Sequence, residues 1–214
     1  MAYTILLHEP LSPLAPSLLR QMYALRHRVF KERMGWDVGF VHDLERDCYD
    51  LMSPVYALAI NAAGRTVGCW RLMPTTGPYL LKDAFGPLLN GQPAPASPLV
   101  WEASRFAVDT DEESVGPGAV TAASAALMAA LLEFGLAFGL EKIVAVSDLR
   151  FERLLHRGGL ATERFGPAHQ VGTTRAVAGW FDVTAGNLER VRETNHLSKP
   201  VLWTSSDRNL VRAA

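Results

Sequence analysis

The hydrophobic pattern of this chain switches between strand and helix periods. Residues 3–8 read as a short apolar strand, and Ser12 followed by Pro13 signals a helix start. Leu18, Met22, Leu25 and Val29 recur at helical spacing, which predicts a helix to about Arg33. Gly35-Trp36-Asp37 breaks it, and a polar, loop-like stretch runs to Pro54. Residues 55–60 and 66–73, on either side of a turn at 61–65, read as a β-hairpin. Residues 79–89 predict a short helix or turn around Phe85, and a proline-rich loop follows over 91–98.

The next strand, residues 99–108, organises the chain. It is entered from Pro98 and left at an acidic turn over 109–113. Alternation places Val100, Glu102, Ser104 and Phe106 on one face and Trp101, Ala103, Arg105 and Ala107 on the other. A carboxylate, a hydroxyl and a guanidinium therefore stand mid-strand, where burial makes unpaired polar groups costly. They form a structural Glu102–Arg105 pair, or contacts to neighbouring strands, or a chemical site.

After Gly116-Pro117-Gly118 comes an apolar run over 119–140. A spanning helix wants roughly 20 strongly apolar residues. This run contains Thr121, Ser124 and Glu133 and lacks flanking aromatic or basic belts, so it reads as a helix buried against a sheet. Residues 142–147 are a strand, and Asp148 caps a helix to about His156 that Gly158-Gly159 closes. Strands over 162–165 and 173–183 and a helix over 187–194 precede a polar, less ordered tail from about 197 to 214. With no repeat or linker, the order predicts one α/β domain over 1–214, an α/β/α sandwich with a mixed sheet.

Composition narrows the function. The chain is 49% hydrophobic and 20% charged, as in ordinary globular proteins. A net charge of −1 gives no global pull towards nucleic acid or anionic membrane, and neither is expected as a partner. Cys48 and Cys69 offer neither a disulfide framework nor a metal-ligand spacing and read as small core residues. No metal site is expected. Residues 1–9 lack the basic start of a signal peptide, which points to a reducing, cytoplasmic setting.

Three groups of charges remain. Arg26 shares a helix flank with Phe30 at i and i+4, half-buried or with a snorkelling stem. Glu45, Asp47 and Asp50 fall within six residues of chain near an exposed Trp36. They are a solvated acidic loop, or a cluster that holds a cationic ligand under an aromatic lid. Arg71 lies in the second hairpin strand, a charge in an apolar run.

Taken together, Arg26-His27-Arg28-Val29-Phe30, Gly35-Trp36-Asp37, Asp47 with Asp50, the run Gly68-Cys69-Trp70-Arg71-Leu72-Met73-Pro74-Thr75-Thr76, Leu80-Leu81-Lys82-Asp83-Ala84-Phe85 and Trp101-Glu102-Ala103-Ser104-Arg105-Phe106 resemble the acyl-homoserine-lactone synthases, the LuxI-type autoinducer synthases. The resemblance is dense over about 20–108 and looser to about 183. It implies a fold similar to the GCN5-type N-acyltransferases. It also implies two substrates: S-adenosylmethionine, and an acyl group on acyl carrier protein or, in some members, coenzyme A. S-adenosylmethionine is then a substrate, and no cofactor is expected. Arg26, Phe30, Trp36, Asp47, Asp50, Arg71, Glu102 and Arg105 match the family's functional positions, and Ser104 matches one near both substrates. Phe85 lies in a matching motif and joins the S-adenosylmethionine set.

The residue types suit that chemistry. Glu102 can take the amine proton, directly or through a water. Asp47 and Asp50 can face the ammonium and sulfonium, with Trp36 and Phe30 stacking nearby. Arg26 and Arg71 can hold carboxylates. Lactonisation needs the methionine carboxylate folded onto the carbon beside sulfur, with methylthioadenosine leaving.

Three further expectations concern the donor. The junction 109–118 is acidic and would repel a coenzyme A phosphate, which favours carrier protein. Arg150, Arg153 and Arg157 recur at i, i+3 and i+7 and share a helix face. That face is a docking surface for an acidic carrier protein, or a solvated face complementing the helix C-terminus. Ala145, Leu149 and Phe151 are expected to line the acyl chain. Ala145 stands where relatives making 3-oxo products often carry threonine, which implies an unsubstituted or 3-hydroxy chain. Competing readings are an N-acyltransferase of the same fold that makes no lactone, and a non-catalytic binding domain.

Overall fold

In the computed structural model, which describes residues 3–10, 13–112 and 118–202, the strand-period segments join one mixed sheet. The chain opens with β1 (Thr4–His8) and α1 (Pro16–Arg26), and α1 runs on as a π-helix over His27–Arg33. Two short strands, β2 (Phe40–Val41) and β3 (Leu44–Glu45), pair as a ribbon ahead of a single 3₁₀ turn over Cys48–Leu51. The hairpin β4 (Val55–Ile60) and β5 (Thr66–Pro74) leads to α2 (Leu80–Ala84), β6 (Val100–Val108) and α3 (Ala122–Ala137). Then come β7 (Lys142–Asp148), α4 (Leu149–Arg157), β8 (Glu163–Arg164), β9 (His169–Val171), β10 (Thr174–Asp182) and α5 (Ala185–Thr194).

The sheet order is β1-β4-β5-β6-β7-β10-β8, with β9 also on β10. Among the strands of the described residues only β6 and β7 pair in parallel, because the α3 crossover returns the chain to the same end of the sheet. Helices α3, α4 and α5 bury Leu127, Leu131, Leu155 and Val191 against one face. On the other face α1 and the π-helix bury Met22, Leu25, Val29 and Phe30, and α2 buries Leu81. Every β4 residue is buried, which is why it reads as a continuous apolar run. The expected α/β/α sandwich is the observed architecture.

Side-chain caps fix the starts of α3, α4 and α5, the last by Thr184 accepting from Asn187 N at 3.1 Å. The Thr121 hydroxyl accepts from Ser124 N at 3.0 Å, and Asp148 Oδ1 accepts from Arg150 N and Phe151 N at 2.9 and 2.6 Å. Helix α1 begins later than the sequence suggests. Pro16 takes the first-turn role expected of Pro13, and Ser12 lies outside the described residues. Residues 35–54 carry the ribbon and the 3₁₀ turn rather than a plain loop. Cys69 is buried as expected, but Cys48 is exposed on the 3₁₀ turn and belongs to no core. No helix among the described residues is long and apolar enough to cross a membrane.

Strand β6 carries two irregularities. Cys69 pairs with Ala107 and Arg71 with Ser104, so Arg105 and Phe106 together oppose Trp70 in a β-bulge. Arg105 adopts φ 58°, left-handed backbone that costs a non-glycine residue about 1–3 kcal/mol. The β6–β7 pairing also stops at Glu102 with Val144, and the two strands part beyond it.

At the β1 edge of the sheet the segment Val201–Leu202 makes one bridge. Ile5 in β1 bridges Leu202 in parallel and donates to Val201 O at 3.4 Å. The Glu133 carboxylate on α3 accepts from Val201 N and Leu202 N at 3.1 and 2.9 Å and from Arg192 at 2.9 Å.

Candidate active site

The bulge overturns the simple alternation of β6. Arg105 turns to the face that already carries Glu102 and Ser104, while Phe106 turns away to pack on Trp70 and Phe151. The three polar residues that alternation had split across the sheet thus meet on one face.

On that face Arg26, Arg71 and Arg105 interlock with Glu45, Asp47 and Asp50. Arg26 grips Asp50 in bidentate fashion, at 2.8 and 2.9 Å, and its Nε bonds Glu45. Arg71 Nη1 reaches Asp47 at 2.5 Å and Asp50 at 3.0 Å, and its Nε donates to Ser104 Oγ at 3.1 Å. Arg105 Nε donates to Glu45 at 3.0 Å, and its Nη2 lies 2.8 Å from Asp47 Oδ2, off hydrogen-bond alignment. Opposite charges balance, so the cluster holds no surplus charge.

Local sequence sets these positions. Asp47 caps the 3₁₀ turn by accepting from Tyr49 N and Asp50 N, and Asp50 returns the contact by accepting from Asp47 N at 2.8 Å. The Tyr56 hydroxyl donates to Asp50 at 2.5 Å. Burial alone would raise the Asp50 pKa, but Arg26, Arg71 and Tyr56 hold it well below the usual carboxylate range. Burial likewise disfavours the charged form of Arg26, and pairing with Asp50 and Glu45 outweighs it.

Exposure ranks the carboxylates. The Glu45 and Asp50 side chains are 0% exposed, whereas that of Asp47 is 17% exposed, beside Arg105 at 13%. Asp47 and Arg105 are therefore the open edge of the cluster. Behind them, Arg71 Nη2 is buried with no hydrogen-bond partner among the described residues. Phe30 stacks on Trp36 with centroids 5.3 Å apart and planes within 5°, and Arg105 lies 5.6 Å from the Phe30 ring. Trp36 is half-buried by that stacking rather than exposed.

Glu102 stands apart from the ion pairs. It makes no pair with Arg105; its carboxylate accepts from Leu80 N and Leu81 N at 3.0 and 2.6 Å, at the start of α2. It is fully buried, and burial pushes its pKa up to about 7 against the opposing pull of those two amides. This is the range of a carboxylate poised to exchange protons near neutrality.

The remaining expected residues divide. Phe85 lies in an apolar cluster with Leu81, Val144 and Trp180, on the Glu102 side rather than against the ion pairs. Ala145 lines a small cavity between the sheet and α4, whereas Leu149 is not among its lining residues. Phe151 packs with Trp70 and Phe106. Arg150, Arg153 and Arg157 are exposed along α4, and Arg157 donates to Gly118 O at 2.7 Å. Part of the acidic junction, 113–117, lies outside the described residues, and Asp109 faces Arg28 at 3.4 Å. A wider cleft of about 350 Å³ lies there, between the π-helix and the segment after β6, and shares no residue with the cluster. Sequence reading placed Glu45 in an acidic group that could hold a cation, whereas it is fully buried against Arg26 and Arg105, and it passed over Tyr56. The only signal was that Glu45 lies two positions before Asp47.

The family model of the autoinducer synthases matches residues 12–191. The chain belongs to that family. An acyl-homoserine-lactone synthase of Pseudomonas aeruginosa is 41% identical over 171 residues, covering 78% of this chain and 84% of that one. Among solved structures, the autoinducer synthase BjaI, described as a CoA-dependent acyl-homoserine lactone synthase with SAM and isopentyl-CoA, superposes with TM-score 0.84 at 26% identity over the whole of both chains. FeeM, an N-acyl amino acid synthase from uncultured soil microbes, shares the fold alone, with TM-score 0.60 at 13% identity over 85% of this chain and 91% of that one.

Proposed function

We propose that this chain is an acyl-homoserine-lactone synthase that acylates S-adenosylmethionine and then lactonises it. The observation that carries the reading is Glu102: a buried carboxylate, paired with no arginine, whose pKa of about 7 suits it to accept an amine proton. The ammonium and sulfonium face Asp47, the one partly exposed carboxylate of the cluster, with Trp36 and Phe30 alongside. Asp50 keeps Arg26 and Arg71 in place. The substrate carboxylate takes the unpartnered Arg71 Nη2 and the edge of Arg105. Ser104 accepts from Arg71, which leaves its own proton free to donate to the oxyanion of the acyl-transfer intermediate.

Once Glu102 or a water it activates has taken one ammonium proton, the amine attacks the thioester carbonyl, the carbon–sulfur bond of the thioester breaks, and the second nitrogen proton passes to the departing thiolate, leaving an amide and a free thiol. The methionine carboxylate oxygen then attacks the carbon beside sulfur, the carbon–sulfur bond breaks, and methylthioadenosine departs. Holding the carboxylate on arginine restricts the conformations from which that closure starts. S-adenosylmethionine is consumed, so no cofactor is required. The setting is the cytoplasm, where both substrates are made, without nucleic acid or membrane as partner.

The test is to incubate the protein with S-adenosylmethionine and acyl thioesters and to measure lactone and methylthioadenosine by mass spectrometry. Equal yields are expected. Acyl-amide without methylthioadenosine would instead favour an N-acyltransferase of the same fold.

The donor is acyl carrier protein, docked on the exposed arginines of α4. Reversing Arg150 and Arg153 to Glu raises KM for the carrier-protein donor and flattens its salt dependence, while KM for the same acyl group on coenzyme A stays put. Equal KM changes for both donors would remove the docking role.

A further inference from the structure

The cavity beside Ala145 is bounded by two kinds of wall. Leu155, Val177 and Phe181 form an apolar side, and Ser147, Thr162 and the buried Glu152 form a polar one. Free room amounts to about 10 Å³, enough for about one water molecule. Ala145 is the first β7 residue past the last β6 pair, so the cavity begins where the two strands part, one position beyond the Glu102–Val144 pair.

Glu152 is held by Arg164, with Nε at 2.7 Å from Oε1 and Nη2 at 2.5 Å from Oε2. That grip depends on a close approach of backbones. A Cβ on Gly179 would meet Glu163 O at 2.4 Å, so only glycine lets β8 fold near enough to bring Arg164 onto Glu152. The mixed walls and the small volume favour one outcome. A long aliphatic tail entering here must either push the buried Glu152 off its half-exposed partner Arg164 or displace Leu155 and Phe181 from the core, and both are costly.

We propose that the Glu152–Arg164 pair is a specificity-determining wall of the acyl site that confines the donor to short chains. This rests on the synthase reading and on an acyl tail passing between β6 and β7 into the Ala145 cavity. The pair touches no reacting atom; it acts by what it excludes.

The experiment compares kcat/KM for butanoyl, hexanoyl and dodecanoyl thioesters on one carrier, using the full chain. The wild type is expected to prefer hexanoyl over dodecanoyl by about tenfold or more, the scale of a methylene misfit in a tight pocket. The double variant Glu152→Ala/Arg164→Ala should shrink that preference about tenfold. Ala145→Leu fills the cavity from the opposite wall and should move the preference from hexanoyl towards butanoyl by a similar factor.

A wild-type preference for dodecanoyl would overturn the proposal. So would an unchanged hexanoyl-to-dodecanoyl ratio in a double variant that melts cooperatively. If the double variant does not fold, Ala145→Leu decides alone, and an unchanged butanoyl-to-hexanoyl ratio overturns it. Lactone formed without these shifts defeats the wall and leaves the synthase reading standing; no lactone from any donor defeats both.

Discussion

Asp50 and Glu102 are two carboxylates closed to solvent on the same side of the sheet, and they hold their protons in opposite ways. Burial pushes both pKa values up. At Asp50 the guanidiniums of Arg26 and Arg71 and the Tyr56 hydroxyl overcome it, and the group stays ionised. At Glu102 two backbone amides and the unbonded charges of Arg71 and Arg105 oppose burial without overcoming it, and the pKa settles at about 7. The difference separates roles: full pairing makes a carboxylate structural, and incomplete pairing leaves one able to exchange a proton.

Removing Glu102 should have the largest effect. Glu102→Gln is expected to lower turnover by about 10²–10⁴ and to abolish the rise of activity with pH. In the wild type that rise is centred near pH 7, because the base form fills above its pKa. The folded-state value lies above the ordinary 4.5, so the stability tied to this proton is present below 4.5 and lost as pH climbs through 7. Rate profiles and denaturant titrations over the same pH series check both. Flat stability across that window would mean that Glu102 is not desolvated.

Arg26→Gln should then destabilise by about 3–5 kcal/mol, because it removes a buried partner from both Glu45 and Asp50 and leaves each with one arginine. Urea unfolding measures this, and a loss below about 1 kcal/mol would place those carboxylates in contact with water.

Asp47→Asn and Asp50→Asn sharpen the contrast within the cluster. Asp47→Asn should raise KM for S-adenosylmethionine by the equivalent of about 1.5–3 kcal/mol with little change in melting. Asp50→Asn should do the reverse. Identical behaviour of the two would erase the distinction between an open and a closed carboxylate.

The smallest change is expected from Tyr56→Phe. It removes the hydroxyl that donates to Asp50 and should cost about 1.5 kcal/mol of stability while leaving donor preference alone.

Sequence pattern carried much of the fold. The hairpin, the buried α3 and the Asp148 cap follow from periodicity and capping chemistry, which act over a few residues. The β6 bulge was not legible, because alternation assumes an unbroken ladder and nothing in Trp101 to Phe106 marks the extra residue. Without it Arg105 is assigned to the wrong face. Glu45 was illegible for another reason. Its burial depends on the β2–β3 ribbon meeting α1, a tertiary contact between two stretches of which one looked like plain loop. The cavity wall at Glu152 and Arg164 depends likewise on Gly179, a glycine whose value appears only when β8 lies against it.

The clasp at Glu133 bears on how the protein is made. β1 is synthesised well before its outer neighbour Val201–Leu202, which lies almost 200 residues further along the chain. Its inner neighbour β4 is complete much earlier, so a nascent sheet must wait with one hydrogen-bonding edge uncovered while α3 and the second half of the fold are synthesised. Such an edge can recruit a foreign strand. Crowded expression would therefore penalise this chain most during translation, and slower synthesis at lower temperature should raise the soluble yield.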